Sequence, residues 1–126
     1  MITPYTRQVK QIVDQLSNLK IPQGVEVRTV DGFQGREKKI ILISTVRSND
    51  ENEIGFLNSQ QRMNVLLTRA QHAMIVFGNR TTLSSDHLWR SWISSVPTIS
   101  STNFISTCLK KSEEHRQTKS NHRRRK

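Results

Sequence analysis

An apolar run rich in isoleucine, Ile40 to Val46, directly follows a polar segment, Asp31 to Glu37, that contains two glycines. The run is far too short to span a membrane, and its β-branched composition is typical of a buried strand of a parallel sheet. Glycine permits backbone shapes that other residues resist and lets the backbone approach a ligand closely. Because α/β proteins bind ligands in loops beside such strands, this stretch predicts an α/β domain with a binding loop.

The remaining pattern alternates strands and helices, which predicts a parallel sheet with right-handed crossovers. An amphipathic helix is predicted where Val9, Ile12, Val13, Leu16 and Leu19 recur at helical spacing. Asn58 and Gln61 form a candidate capping pair for a second helix, which is expected to bury Met63, Leu66, Leu67 and Ala70. The predicted strands cover residues 1–5, 25–30, 38–46 and 73–78, and the predicted helices cover residues 6–20, 59–70 and 85–95.

Three ordered motifs carry a family resemblance over about residues 2–93. Residues 30–49 read VDGFQGREKKIILISTVRSN and residues 55–70 read GFLNSQQRMNVLLTRA. They resemble motifs V and VI of superfamily 1 helicases, in the branch of the nonsense-mediated-decay helicase and senataxin. Ile2-Thr3-Pro4-Tyr5 with Gln8 resembles motif IV. The resemblance implies the RecA-like second motor domain of a helicase, a parallel sheet flanked by helices in the P-loop NTPase superfamily.

Length and composition bound the rest of the chain. The 126 residues suit one domain, here residues 1–96, followed by a loose segment, 97–126, that is expected to be disordered from Lys110 onward. The net charge is +10, and residues 110–126 hold eight of the 20 basic residues. That tail is either a phosphate-binding or nuclear-import segment or a solvated extension. One cysteine and no secretory signal or membrane span indicate an intracellular protein, nuclear or cytoplasmic.

The resemblance implies a nucleotide site at Gly35, Glu37 and Arg69. Arg69 matches the arginine finger that stabilises charge on the γ-phosphate, a role that suits a permanently charged, forked guanidinium. The alternative is a surface arginine at a helix end. Glu37 matches a residue that binds ribose hydroxyls or metal-bound water, and its alternative is an ion pair with Arg36, Lys38 or Lys39.

Other positions match the family's nucleic-acid and coupling residues. Thr3 and Thr29, at the ends of two predicted strands, match positions that contact the backbone of a single strand, RNA or DNA, without reading its sequence. Gln34 is expected to link the nucleotide site to that strand. Arg62 is expected to form a structural ion pair with Asp31 or Glu37. Tyr5, Arg47 and Asn49 match the family pattern without an assigned role.

No Walker A pattern and no magnesium-binding Asp-Glu pair occur in these 126 residues, and the histidines show no metal spacing. In the family, the ligands of Mg²⁺ and the cradle for the ATP phosphates lie on a first motor domain. The chain is therefore expected to supply half of an ATP-dependent helicase and to be inactive alone. The alternative is a non-catalytic nucleic-acid-binding or interaction remnant that keeps the fold without the motor.

Overall fold

The computed structural model describes residues 1–19 and 24–111. The chain divides into two compact units, Met1–Ser94 and Ser95–Lys126, so the boundary lies two residues before the predicted one. Within the described residues, none of the helices combines the length and the apolar character that a membrane crossing requires.

The first unit contains a four-stranded sheet in which every neighbouring pair is parallel. The strands lie in the order β2-β1-β3-β4. The α/β architecture with a parallel sheet is therefore confirmed, although the first two strands are shorter than predicted. The strands are β1 (Ile2–Thr3), β2 (Arg28–Thr29), β3 (Lys38–Ser44) and β4 (Ala70–Phe77).

Among residues 1–19 and 24–95, the α-helices are α1 (Thr6–Asn18), α2 (Gln60–Leu67), α3 (Arg80–Leu83) and α4 (His87–Ser95). The predicted cap of α2 was wrong by one residue, because Asn58 ends a 3₁₀ turn, Gly55–Asn58. Ser59 is the cap, and its hydroxyl accepts the Arg62 N–H at 3.4 Å. The short helix α3 was not predicted; Asn79 caps it by accepting the Thr82 N–H at 3.0 Å.

One face of the sheet carries the core. Ile2 and Ile43 are register partners in β1 and β3, and both are fully buried. Trp89 of α4 is also fully buried, and its indole N–H donates to the Leu57 carbonyl at 3.0 Å. Trp92 packs edge-on against Trp89 with ring centroids 5.9 Å apart, so the tryptophans are core residues, as predicted. The other members of this core include Val30, Phe33, Ile41, Met63, Leu66 and Ile93.

Helix α1 lies on the opposite face, because Gln8 donates to the Ser44 hydroxyl at 3.0 Å and side chains alternate along β3. The predicted apolar stripe of α1 forms, but the helix buries none of its residues. Val13 is 43% exposed and Leu19 is 67% exposed. Ile40 of β3 is 64% exposed on the same face of the sheet. This face is therefore only partly covered, in contrast to the core face.

In the second unit, residues 101–111 are helical. The prediction of a loose segment from Pro97 onward was wrong for these residues, and so was disorder at Lys110 and Lys111. Phe104, Ile105, Cys108 and Leu109 recur at one-turn spacing, a short helical pattern that the surrounding serines and threonines obscure. The rest of the predicted tail, residues 112–126, lies outside the described residues.

Candidate functional site

The start of β3 and the start of β4 bring two of the predicted nucleotide residues side by side. Lys38 and Ala70 are register partners, so Glu37 and Arg69, one residue before each, are neighbours across the sheet. The Lys38 N–H donates to the Arg69 carbonyl at 3.1 Å. We call this end of the sheet the amino edge.

Arg69 lies between α2, which ends at Leu67, and β4, which begins at Ala70. The prediction that it belongs to the helix was therefore wrong by two residues. Its guanidinium donates to the Thr68 hydroxyl from Nη2 at 2.8 Å and from Nε at 3.3 Å. Thr68 in turn donates to the Asn64 carbonyl at 2.7 Å. The arginine is thus held at the end of α2 by a neutral group.

Glu37 accepts a hydrogen bond from Gln71 Nε2 at 3.3 Å and enters none of the ion pairs among the described residues. The alternative pairing of Glu37 with Arg36, Lys38 or Lys39 is therefore absent from the described residues. Arg36 and Lys38 pair instead with the Glu26 carboxylate, with N···O distances of 2.6 Å and 3.3 Å.

Glu26 was not among the predicted site residues. Three cations converge on its carboxylate, since Arg28 joins Arg36 and Lys38 at 3.1 Å. The hydrogen bond from Arg28 is the main reason why the pKa of Glu26 is lowered, with Lys38 and Arg36 adding to the effect and burial opposing it. In the sequence Glu26 is only a carboxylate between two valines, a pattern that does not indicate its partners Arg36 and Lys38, ten and twelve residues further on. By occupying these cations, Glu26 leaves Glu37 available.

Gly35 has a φ of +71° and open space where a Cβ would lie. Its requirement is therefore conformational: the left-handed backbone turns the chain from the 3₁₀ turn at Asp31–Phe33 toward Glu37. A second irregularity lies opposite, where two residues of β4, Gln71 and His72, face the single residue Lys39 of β3. Such bulges redirect side chains next to functional sites, and this one includes Gln71, the partner of Glu37.

The two predicted nucleic-acid residues also come together, at the other end of the sheet. Thr3 and Thr29 are register partners at the ends of β1 and β2. Thr3 is fully buried, and its hydroxyl donates to Gln8 Oε1. Thr29 is partly exposed, and its hydroxyl accepts the Gly32 N–H at 3.1 Å. We call this end the carboxyl edge; the seven residues of β3 separate it from the amino edge by roughly 20 Å.

Arg62 forms an ion pair with Asp31 at 3.4 Å, one of the two partners expected for it. Its guanidinium also lies 3.5 Å from the centroid of the Phe56 ring. Tyr5, which had no predicted role, packs against Phe56 with ring centroids 6.2 Å apart. Gln34 is exposed just after the 3₁₀ turn, between Thr29 and Gly35. These contacts join the three motifs in the first unit.

Comparison with known proteins identifies the family of the chain. The sequence model of the family described as AAA domain matches residues 1–81. The chain is 44% identical over 98 residues to "Probable helicase MAGATAMA 3" of Arabidopsis thaliana and 48% identical over 99 residues to regulator of nonsense transcripts 1 of Dictyostelium discoideum, each match covering 75% of this chain. ATP-dependent helicase upf1 of Schizosaccharomyces pombe is 42% identical over 98 residues, 74% of the chain.

The chain therefore belongs to the AAA domain family, and its relatives are superfamily 1 helicases of the nonsense-mediated-decay type. Its parallel sheet with flanking helices is the RecA-like domain of such a helicase. The matched segment spans 12%, 7% and 11% of the lengths of these three relatives. Family and fold thus describe one domain of much longer proteins.

Proposed function

We propose that this chain is the C-terminal motor half of an ATP-dependent helicase acting on single-stranded RNA or DNA. ATP would bind between the amino edge and a first RecA-like motor domain. Gly35 and Glu37 would contact the nucleotide, and closure of the two domains would bring Arg69 to the γ-phosphate. Thr3 and Thr29 would hold the strand at the opposite edge.

The observation that carries this proposal is the pairing of Glu37 and Arg69 at the starts of adjacent strands. Arg69 is partly exposed, and its guanidinium is bonded to a hydroxyl rather than to a carboxylate. Its positive charge is therefore not neutralised within the described residues. A charge that is fixed in place before the reaction stabilises a transition state without reorganising, which is the largest single effect in many enzymes.

Glu37 supports a different part of the chemistry. Its carboxylate is exposed and bonded to one amide, so it retains acceptor capacity for ribose hydroxyls or for water bound to Mg²⁺. The Mg²⁺ ligands themselves are expected on the first motor domain, together with the loop that cradles the phosphates. The chain alone should therefore bind nucleotide weakly and hydrolyse none.

The carboxyl edge suits the binding of single-stranded nucleic acid without selection for its base sequence. The buried Thr3 hydroxyl orients the Gln8 amide, which also donates to Ser44, so this edge presents oriented neutral groups. Neutral donors and backbone N–H groups bind phosphates and sugars of any sequence. We infer that Thr3 acts through Gln8 and that Thr29 is placed closer to the strand. Gln34, between the two edges along the chain, would couple strand binding to the nucleotide.

Two assays test the proposal. The purified chain should show no ATP hydrolysis above background, with or without single-stranded nucleic acid. A chimera in which this chain replaces the matched segment of the S. pombe ATP-dependent helicase upf1 should hydrolyse ATP when a single strand is present. A folded chimera that is inactive beside an active parent helicase would favour the non-catalytic remnant instead. Hydrolysis that co-purifies with the isolated chain would contradict the half-site.

A further inference from the structure

A cavity of about 460 Å³ lies at the carboxyl edge, where β3 and β4 end. Four neutral polar side chains line it: Gln8, Ser44, Ser48 and Asn79. The Asn79 amide donates to the Ser48 hydroxyl at 2.8 Å across the cavity wall. No carboxylate contributes to the lining, so the cavity offers hydrogen bonds without repelling an anion. Crevices beyond the carboxyl ends of parallel strands are the usual ligand sites of α/β folds.

Two apolar side chains line the same cavity and remain open to solvent. Val46, two residues beyond β3, is 45% exposed, and Phe77, the last residue of β4, is 40% exposed. Proteins that bind single strands combine polar contacts to the backbone with apolar and aromatic surfaces against the bases. The cavity therefore holds both kinds of surface that a strand requires.

The backbone at Val46 is strained. Its φ is +67°, in the left-handed region that β-branched residues avoid, and the Arg47 N–H closes a γ-turn by donating to the Thr45 carbonyl at 2.7 Å. Thr45 holds the turn in place, because its N–H and its hydroxyl both donate to the Phe77 carbonyl of β4, at 3.0 Å and 3.2 Å. A Cβ on Gly78 would lie 2.5 Å from the Thr45 hydroxyl. Strain held this firmly is typical of functional sites.

Arg47 supplies the positive charge of the cavity. Its Nε donates to the Tyr5 hydroxyl at 2.7 Å, and its guanidinium lies 5.5 Å from the centroid of that ring. It enters none of the ion pairs found in residues 1–19 and 24–111. An arginine held by an aromatic phenol keeps its charge and most of its donors, which suits it to a phosphate.

We propose that this cavity, the 46–79 groove, binds single-stranded nucleic acid as a second contact beyond Thr3 and Thr29. Arg47 binds one phosphate, the neutral side chains bind the sugar–phosphate backbone, and Val46 and Phe77 contact the flanking bases. The proposal rests on the proposed function in taking a nucleic-acid strand as ligand. A free nucleoside triphosphate fits less well, because its clustered negative charge calls for more than one cation.

Photocrosslinking locates the contact directly. The full chain is mixed with a 5′-labelled oligouridine carrying 4-thiouridine, or with an oligothymidine carrying 4-thiothymidine, and is then irradiated and digested with trypsin. Crosslinks are expected on the peptides of residues 40–47 and 70–80, which contain Val46 and Phe77. The two arms show whether RNA or DNA binds better. Crosslinks confined to other peptides in both arms would overturn the groove.

Variants separate binding from structure. Ser48→Glu places a carboxylate in the groove and should lower the crosslink yield on peptide 70–80 at least tenfold. The matched control Ser17→Glu adds the same charge on α1 and should leave that yield within twofold. Val46→Gly relieves the positive φ, so its melting temperature should equal or exceed that of the parent while its yield falls severalfold.

Equal yields in Ser48→Glu and Ser17→Glu would contradict the proposal. An undiminished yield in a folded Val46→Gly chain would do the same for the apolar contact. Neither measurement requires ATP hydrolysis, so an inactive chimera would reject the motor function without affecting these outcomes.

Discussion

The two edges of the sheet differ in how they are built. The amino edge is charged: Glu37 and Arg69 lie on adjacent strand starts, and Glu26 gathers three cations beside them. The carboxyl edge is largely neutral, with Thr3 and Gln8 presenting hydroxyl and amide groups. The backbone differs too. At the amino edge Gly35 is required for its positive φ, whereas at the carboxyl edge the strained turn at Val46 lies beside Gly78, where a Cβ would contact Thr45.

The difference follows from what each edge is proposed to bind. Charge that develops at one atom of a reacting phosphate is best met by a fixed charge. A single-stranded nucleic acid that must move along the protein is better bound by contacts that are the same for every nucleotide. Under this proposal one small sheet separates a catalytic end from a nucleic-acid-binding end, and changes at each end should produce different kinds of loss.

The largest effect is expected at the amino edge. In the chimera with the S. pombe relative, Arg69→Ala should lower the ATP turnover rate by ~10³, because an arginine of this kind acts mainly in the transition state. Steady-state hydrolysis at saturating strand gives the rate, and strand affinity should change little. Turnover at the parental rate in a folded protein would reject Arg69 as the arginine finger.

Two controls accompany that measurement. Arg80→Ala removes an exposed arginine next to the carboxyl edge and should leave turnover at saturating strand unchanged. Met63→Ala truncates a buried side chain of α2 and should cost ~2 to 5 kcal/mol of stability by leaving a cavity. Its turnover should follow only the fraction of folded protein.

A second experiment compares the glycines of the two edges. Gly78→Ala should destabilise the isolated chain by ~1 to 3 kcal/mol, because the new Cβ meets Thr45 at 2.5 Å and Leu83 at 2.8 Å. Gly35→Ala meets no atom and should cost only about 1 kcal/mol through its positive φ. Urea unfolding measures both. Equal losses would mean that the carboxyl edge relaxes easily and that its turn is not held in place.

The smallest effect concerns Glu26 and pH. Its pKa is lower in the folded chain than in the unfolded chain, so its ion pairs stabilise the fold above the ordinary carboxylate range and lose that effect as the pH falls. Glu26→Gln should therefore lower the melting temperature slightly at pH 7 and flatten its fall between about pH 5 and pH 3. Glu51→Gln, an exposed loop carboxylate, is the control. Parallel curves of melting temperature against pH for the parent and Glu26→Gln would show that the ion pairs of Glu26 do not stabilise the amino edge.

Much of the fold could be predicted because its signals are local. The apolar runs of β3 and β4 lie within a few residues of their predicted bounds, and the tryptophan spacing predicted the buried face of α4. Helix 101–111 was missed because its stripe is short and flanked by serines and threonines. The partial exposure of α1 was missed as well, since periodicity identifies an apolar face but does not show what covers it.

The site divides in the same way. Motif residues such as Gly35, Glu37 and Arg69 were named from the resemblance to the family's motifs, whereas their hydrogen-bond partners in the structure were not. Gln71 donates to Glu37 from the bulge in β4, and Gln8 accepts the Thr3 hydrogen bond from the first turn of α1. Contacts of this kind depend on register and crossing geometry, which no short motif contains.

The position of β1 has a consequence for how the chain folds. These two residues, Ile2 and Thr3, lie inside the sheet between β2 and β3, although they come at the start of the chain. Ile2 belongs to the same core as Trp89 and Ile93, so the core is complete only when residues about 90 positions apart in the sequence are in contact. Contacts between distant residues require the loss of loop-closure entropy before they stabilise the fold, so such topologies fold slowly. During synthesis β1 is made before α4, so its apolar residues stay uncovered until α4 packs against them, and in that interval they are exposed to aggregation.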